Sequence, residues 1–264
     1  MRLISSLPAP RRALSRTTFG AALLCGASLL LFANPAAAQI EIIDEHIDIG
    51  TLYEGGVLSL IADNDDTGEE FTNPAADLLF VLGDNAQTPR NASPQFDFIG
   101  TGAGQPTWVS AGVDTAGDNL PLIGLAAESV SSGLFADDAI TISLLSYVGP
   151  GQFSGYYFDS GSLIVAFATA NGITAADQGI VFAEDEHQDY FMTFTAPGSY
   201  SLTFQASGTL LSTGGLVTSS PTTYNFRVGT LASDTAAPEP GSLALIGFAA
   251  LGGIAYRHRR RAAK

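Results

Sequence analysis

Cysteine and basic residues are both scarce in this 264-residue chain, and each scarcity excludes a class of chemistry. The one cysteine, Cys25, lies in an apolar run near the N-terminus, so the rest of the chain has no disulfide and no thiolate for catalysis. Of the 11 basic residues, only Arg90 and Arg227 lie between the basic ends of the chain. All 26 acidic residues lie between those ends, so the stretch from Gln39 to Tyr256 has a net charge of −24, from 2 basic and 26 acidic residues. We do not expect it to bind nucleic acid or an anionic membrane surface, because both require cationic partners.

Sequence signatures of catalysis are missing as well. The chain contains no G-x-S-x-G nucleophile elbow and no H-E-x-x-H zinc-protease motif. Carboxylates are abundant, but with so many of them the sequence alone cannot select a pair for acid–base or glycosidase chemistry. We therefore predict that the protein is not an enzyme.

The N-terminus, residues 1–38, is predicted to be a secretory signal peptide. A basic region precedes an apolar run from Phe19 to Phe32, and Ala36 and Ala38 form an A-x-A cleavage site before Gln39. We expect the secretory translocon to export the chain and the mature protein to begin at Gln39.

The C-terminus has three parts in a fixed order: a Pro-Glu-Pro-Gly tetrapeptide, an uncharged run from Ser242 to Tyr256, and a basic cluster. The uncharged run is shorter than the roughly 20 apolar residues of a permanent membrane span, which favours a transient stop in the membrane. The basic cluster is expected to hold the end of the chain in the cytoplasm, so that the rest lies outside. The defining residues are Pro238, Glu239, Pro240, Gly241, Arg257, Arg259, Arg260 and Arg261.

This arrangement closely resembles the PEP-CTERM sorting signal of bacteria that have an outer membrane and an exopolysaccharide. The resemblance implies that a membrane protease of the exosortase type cuts near the Pro-Glu-Pro, after a transient stage in which residues 237–264 hold the protein in the inner membrane. It also implies delivery to the cell surface, the outer envelope or the extracellular matrix, with exopolysaccharide as a candidate partner. Residues 232–236 are small and polar, as expected of an exposed spacer before the cleavage site.

The middle part, residues 39–231, has the pattern of an all-β domain. Short runs rich in Val, Ile, Phe, Tyr and Thr are separated by Gly, Asn, Asp and Pro, and no long helical periodicity is present. Gly55 and Gly56 between two such runs indicate a hairpin turn. The alternation over residues 199–205 indicates one buried and one exposed face. We predict an antiparallel β-sandwich of about ten strands, followed by a single apolar helix in the C-terminal segment.

A second resemblance spans nearly the whole of this domain. Its landmarks, in chain order, are EHIDIGTLYEGGVLSL from Glu45, TWVS from Thr107, LIGLAAE from Leu122, YVGPGQFSGYYFD from Tyr147, HQDYFMTFTAPGSYSLTFQASGTL from His187 and YNFRVG from Tyr224. Together they resemble the choice-of-anchor M surface domain, which occurs in bacterial envelope proteins with different C-terminal anchors. The resemblance implies a surface role and brings no enzymatic activity with it.

Two matching tripeptides are the sharpest chemical feature of the domain. Residues 46–48 read His-Ile-Asp and residues 187–189 read His-Gln-Asp, and they contain the only two histidines of the domain. Residues i and i+2 of a strand point to the same side, so each tripeptide presents one imidazole and one carboxylate together. If the two strands are neighbours, a divalent cation (zinc, manganese or calcium) could bind between them; otherwise they are two separate polar surfaces. The candidate ligands are His46, Asp48, His187 and Asp189.

Two acidic stretches bear on that hypothesis. The stretch from Asp63 to Glu70 begins like a calcium loop, but its twelfth position is Pro74 and no helices flank it, so an acidic turn is favoured. Residues 184–186, Glu-Asp-Glu, directly precede His187 and could either supply a metal with further oxygens or prevent an edge strand from pairing. Two functions therefore stay open: a structural or adhesive envelope protein, and an extracytoplasmic module that binds a divalent metal.

Overall fold

The computed structural model describes residues 38–113, 119–183 and 187–230. Ala36 and the residues of the predicted sorting signal lie outside these ranges. The helical elements within them are α1 (Pro74–Asp77) and 3-10 helices at Asp84–Ala86, Pro94–Ile99, Ala136–Asp138 and Thr169–Asn171. The strands are β1 (Ile40–Ile42), β2 (His46–Glu54), β3 (Val57–Asn64), β4 (Glu69–Phe71), β5 (Leu78–Leu82), β6 (Gln87–Pro89), β7 (Pro106–Val109), β8 (Leu122–Ala126), β9 (Ala139–Val148), β10 (Phe153–Asp159), β11 (Ser162–Ala168), β12 (Gln178–Phe182), β13 (Gln188–Phe194), β14 (Gly198–Thr209), β15 (Leu216–Thr218) and β16 (Thr222–Val228).

The strands form two mixed sheets. One has seven strands in the order β1-β5-β16-β14-β9-β12, with β15 paired to β14. The other has nine strands in the order β11-β10-β13-β8-β2-β3-β4, with β7 paired to β13 and β6 paired to β7. The prediction of a β-rich fold is confirmed, but the prediction of purely antiparallel sheets is wrong, because β5 pairs in parallel with β1 and β16, and β2 pairs in parallel with β8. These parallel partners lie far apart in the chain. Side chains alternate with a period of two in parallel and antiparallel strands alike, so the sequence pattern does not reveal the pairing direction.

The inner faces of the two sheets share one apolar core. Ile47 and Ile49 of β2 belong to it, as do Tyr224 and Phe226 of β16 in the opposite sheet. The Tyr224 hydroxyl donates a hydrogen bond of 2.7 Å to the carbonyl oxygen of Ile61, so the one polar group of this buried ring is paired across the core. Each large apolar side chain buried in this way stabilises the fold by about 1.5–3 kcal/mol. The core therefore stabilises the domain without a disulfide.

Local sequence signals were reliable where a strand was long. Gly55 and Gly56 form the turn between β2 and β3, with φ angles of 58° and 85° that favour glycine. Tyr200, Leu202 and Phe204 of β14 are buried and alternate with less buried neighbours, as their period of two predicted. The described residues form 16 strands where about ten were predicted, and the four shortest, β1, β4, β6 and β15, have only three residues each. A run of three is too short to show an alternation.

A helical turn leads directly into β5. Asp77 is the last residue of α1, which Pro74 begins, and β5 starts at Leu78. Within the described ranges no helix combines the length and the apolar character that crossing a membrane would require. The run from Ser242 to Tyr256, predicted as an apolar helix, lies outside them.

Candidate metal centre

Three neighbouring strands of the nine-stranded sheet bring the two histidine–aspartate pairs together. β8 lies between β2 and β13, pairing in parallel with the first and antiparallel with the second. In this register Gly124 of β8 is the Cα partner of both Asp48 and Asp189. The two aspartates therefore lie in one row across the sheet, with a glycine between them.

Strand alternation places both pairs on the outer face of this sheet. Ile47 and Ile49, the neighbours of Asp48, and Tyr190, the neighbour of Asp189, all belong to the core between the sheets. Successive side chains of a strand point to opposite faces, so the two aspartates point away from that core. The alternation that builds the apolar core thus also gathers the polar groups on the opposite face.

His46 lies against three carboxylates. Its Nε2 is 3.1 Å from Asp189 Oδ1 and 3.5 Å from Asp48 Oδ1. Its Nδ1 is 3.4 Å from Oδ2 of Asp65, which belongs to the turn after β3. The two ring nitrogens therefore face different partners: Nε2 faces the carboxylates of the strand row, and Nδ1 faces the turn.

His187, which directly precedes β13, also lies against three carboxylates. Its Nδ1 is 3.2 Å from Glu128 Oε1 and 3.5 Å from Asp48 Oδ2, and its Nε2 is 3.7 Å from Asp189 Oδ1. Its backbone N–H donates to the same Glu128 oxygen at 3.3 Å. The rings of His46 and His187 meet edge to face, with centroids 4.5 Å apart and planes at 78°. Asp48 and Asp189 each contact both imidazoles, so the four predicted ligands form one cluster.

Three of the four predicted ligands lie close enough to share one ion. His46, Asp48 and His187 each offer a ligand atom within 4.8 Å of the other two. Ligands that lie about 2.0–2.2 Å from a common tetrahedral zinc ion are about 3.3–3.6 Å apart, so the side chains would have to move closer together to close the site. Asp189 is not a member of this group. The ligand atoms of a second group, Asp65, Glu128 and His187, also lie within 4.8 Å of one another, but both of its acids are exposed.

Asp48 is the buried member of the cluster. Its side chain is 2% exposed, and among the described residues its Oδ1 atom has no hydrogen-bond partner. Leaving a buried polar atom unsatisfied costs about 1–3 kcal/mol, and more when the group is charged. A cation held between Asp48 and the two imidazoles would supply the missing partner.

Gly124 makes room for the Asp48 carboxylate, and the sequence analysis did not identify it. A Cβ atom at this position would overlap Asp48 Oδ1 and would lie 3.2 Å from the backbone oxygen of Gln188. The glycine therefore leaves a depression in the middle strand that a side chain would fill. Its signal in the sequence was an isolated glycine within a buried strand, which often marks a close approach of another group.

The sequence analysis also did not single out Asp65 and Glu128 as candidate ligands. Asp65 lies in the turn between β3 and β4, where Asn64 Oδ1 accepts a hydrogen bond of 2.9 Å from the backbone N–H of Thr67. This is the acidic turn that was predicted for the stretch resembling a calcium loop. Glu128 lies just after β8. Nothing in the sequence distinguishes these two acids from the other carboxylates; only the sheet order brings them to the histidines.

The surrounding carboxylates favour protonated histidines. Burial lowers the pKa of His46, but Asp189 and Asp48 more than offset it and raise the pKa to about 10. Burial likewise opposes protonation of His187, and Asp48, Glu128 and Asp189 raise its pKa above the ordinary value. The pKa of Asp48 is raised by its own burial. A metal ion bound here would therefore displace protons from the imidazoles.

The remaining site residues of the sequence analysis lie elsewhere or outside the described ranges. Gln39, the predicted first residue of the mature chain, donates two side-chain hydrogen bonds of 2.8 Å to the carbonyl oxygens of Ala75 and Leu78. Ala38 is described and exposed. Ala36, residues 184–186, and the eight residues of the predicted sorting signal are outside the described ranges.

Comparison with known families gives one assignment, at the C-terminus. A family model described as the PEP-CTERM protein-sorting motif matches residues 236–261. The chain thus carries the signal of an exported protein that an exosortase, a membrane protease, processes during sorting to the cell envelope. No curated protein and no solved structure matches the chain. The resemblance of the β domain to choice-of-anchor M domains stays a prediction.

Proposed function

We propose that this envelope-sorted protein binds a divalent metal ion through His46, Asp48 and His187. The observation that carries the proposal is the convergence of these three side chains, from β2 and from the start of β13, on the outer face of the sheet. Two imidazoles and a carboxylate are a ligand set that suits zinc and related divalent ions.

The electrostatics of the cluster support a cation rather than an anion or a neutral ligand. Asp65, Glu128 and Asp189 lie within 3.7 Å of an imidazole nitrogen, in addition to Asp48. The four carboxylates outnumber the two histidines, so the cluster carries net negative charge even with both imidazoles protonated. A divalent ion would take over the positive charge of the two protons that it displaces, and it would bind Asp48 Oδ1, which has no hydrogen-bond partner among the described residues.

Calorimetric titration with Zn²⁺ tests this function. The full-length protein is purified, stripped of metal with a chelator, and titrated next to three variants: His46→Gln, His187→Gln and Glu54→Gln. We expect one ion per chain for the unaltered protein, loss of binding in both histidine variants, and unchanged binding in Glu54→Gln, which alters an exposed acid at the far end of β2. Equal binding in all four proteins, or none in the unaltered one, would show that the cluster is not a metal site.

A structural or adhesive role in the cell envelope is the second candidate, favoured by the sorting motif at residues 236–261. We propose that the mature protein is released from a transient inner-membrane stage and delivered to the surface or the exopolysaccharide matrix. Replacing Pro238, Glu239 and Pro240 with alanine should leave an uncleaved form in the inner membrane, whereas Thr235→Ala, just before the motif, should be processed normally. Mass spectrometry of the delivered protein is the measurement. Peptides from Leu243–Tyr256 in the delivered form would contradict cleavage.

The two candidates are separable in the same host. Loss of the whole protein should weaken matrix cohesion if the role is adhesive, and the His46→Gln variant should then restore cohesion as well as the unaltered protein does. A variant that is delivered normally but fails to restore cohesion would indicate that the metal ion is part of the adhesive function.

A further inference from the structure

We infer that the centre is an open site for a transition ion of the zinc class, held by three protein ligands, with a fourth coordination position that faces solvent. This inference rests on the proposed function and specifies the ion and its exchange behaviour. Three features of the cluster carry it: the two nitrogen donors, the way in which Asp65 orients His46, and the difference in exposure between the ligands.

The donor set selects the class of ion. Two of the three converging ligands are imidazoles, from His46 and His187. Calcium and magnesium take oxygen ligands almost exclusively, whereas imidazole suits zinc, copper, nickel and iron. The group that is richer in oxygen, Asp65, Glu128 and His187, has two exposed acids and shares His187 with the first. One imidazole cannot place the same nitrogen on two ions, so we assign a single ion to the buried group.

Asp65 is the positioning residue for His46. Its Oδ2 lies 3.4 Å from Nδ1, on the side of the ring away from the strand carboxylates, while Nε2 faces Asp48 and Asp189. A carboxylate beside one ring nitrogen keeps the proton there and leaves the lone pair of the other nitrogen free for a metal. The geometry therefore assigns Nε2 as the ligand atom of His46. The surroundings of His187 differ, because its Nδ1 faces both Glu128, at 3.2 Å, and Asp48, at 3.5 Å.

Exposure increases from the floor of the site to its rim. The Asp48 side chain is 2% exposed, whereas those of His46, His187 and Asp189 are 14%, 20% and 22% exposed. An ion would thus have the Asp48 carboxylate beneath it and the two rings at its sides, with its outer side towards solvent. Structural zinc sites are closed by four protein ligands, while sites with three keep a position for water or another ligand. Three converging ligands and a partly exposed rim match the second kind.

Cobalt substitution tests the open position, because four-coordinate Co²⁺ absorbs visible light far more strongly than six-coordinate Co²⁺. The metal-free full-length protein is loaded with Co²⁺, and azide is then added. We expect intense visible bands that shift on azide binding, and removal of the ion by a chelator within the mixing time. Bands that ignore azide, together with slow removal, would mean a closed structural site. Displacement of Co²⁺ by an equal concentration of Ca²⁺ would mean an oxygen site of the other class. In either case the protein still binds a metal, so the proposed function would survive while this inference fails.

Asp65→Asn tests the positioning role, with Glu54→Gln as the matched control. We expect Zn²⁺ affinity to fall about 10- to 100-fold in Asp65→Asn, the usual cost of losing such a partner, and to stay unchanged in Glu54→Gln. Nitrogen NMR of ¹⁵N-labelled histidine supplies a readout that general destabilisation would not change. With Zn²⁺ bound, it should show Nε2 of His46 on the metal in the unaltered protein and a mixture of Nε2-bound and Nδ1-bound forms in Asp65→Asn. Binding through Nε2 alone in Asp65→Asn would overturn the role of Asp65.

Discussion

The two histidine–aspartate pairs have nearly the same sequence, yet the fold gives them different parts of the cluster. The first pair lies inside β2, and its aspartate is the most buried charged group of the cluster, at 2% exposure. The second pair lies at the very start of β13, and its aspartate is 22% exposed. Asp48 therefore forms the floor of the site and Asp189 lies at its rim.

The neighbouring strand explains this difference. Asp48 leans over Gly124, where no side chain blocks its carboxylate, and its Oδ1 has no hydrogen-bond partner among the described residues. Asp189 pairs with the same glycine from the other side, and its carboxylate lies 3.1 Å from His46 Nε2 and 3.7 Å from His187 Nε2. A short motif thus specifies the chemistry of a site, while burial depends on what the next strand places beside it.

The largest expected effect is a loss of Zn²⁺ affinity that is greater for substitution of Asp48 than for substitution of Asp189. Asp48→Asn removes the buried ligand and should weaken Zn²⁺ binding by roughly 100-fold or more, at about 1.4 kcal/mol for each factor of ten. Asp189→Asn should weaken binding only about tenfold, because Asp189 lies outside the group of converging atoms. Competition titration against a chelator measures both affinities. Equal losses in the two variants would show that both aspartates are ligands and that the floor-and-rim distinction is wrong.

Gly124→Ala should affect the first pair more than the second. The added methyl group overlaps Asp48 Oδ1, and overpacking of this kind costs about 1–3 kcal/mol. For a domain of this size each kcal/mol lowers the melting temperature by about 2–4 °C. We also expect the variant to lose Zn²⁺ affinity.

Gly102→Ala is the matched control for that substitution. A Cβ at Gly102 meets its nearest neighbour, Gln105 Cγ, at an ordinary contact distance of 3.6 Å. Melting curves with and without Zn²⁺ should therefore match the unaltered protein. If Gly124→Ala behaves like Gly102→Ala, the depression above Gly124 plays no part in the site.

The long strands and their apolar faces could be predicted from sequence, because alternation is a local property of the chain. The order of the strands could not, and it decides the site: β8 joins β2 to β13, yet LIGLA at residues 122–126 has the pattern of an ordinary buried strand. The convergence of His46 and His187 was therefore only one of two hypotheses. Asp65 and Glu128 could not be selected among 26 acidic residues, since their role comes from position alone.

The pH dependence of stability should separate the two histidines. The pKa of His46 is raised to about 10 in the folded protein, so without metal its contribution is fully present below its unfolded pKa of about 6.5. That contribution is lost as pH rises towards 10. The melting temperature of the metal-free protein should therefore fall by several degrees across this range. Zn²⁺ should bind more tightly over the same range, because it no longer competes with protons.

The two histidine variants identify which imidazole causes the pH dependence of the melting temperature. The pKa of His187 is also raised, with Glu128 as well as the two aspartates favouring its protonated form. We expect the metal-free His46→Gln protein to show the flattest melting profile between pH 6.5 and 10, and His187→Gln to keep part of the slope. Thermal melts in metal-free buffers make the comparison. A slope in His46→Gln as steep as that of the unaltered protein would place the responsible proton elsewhere.

The smallest expected effect concerns the exposed partner of the second pair. Glu128 is 39% exposed and contacts His187 through both the ring Nδ1 and the backbone N–H. Glu128→Gln removes the charge but keeps an acceptor for the backbone group, so the cost should be that of an exposed ion pair, about 0.2–1 kcal/mol. The pKa of His187, followed by NMR, should fall, while that of His46 should hardly change. Because Glu128 is partly exposed, this attraction should weaken as salt is raised and the screening length drops from about 10 Å at 0.1 M to about 3 Å at 1 M. A fall in the His187 pKa that persists unchanged in high salt would mean that Glu128 acts inside the buried cluster, and the second pair would then be as deeply embedded as the first.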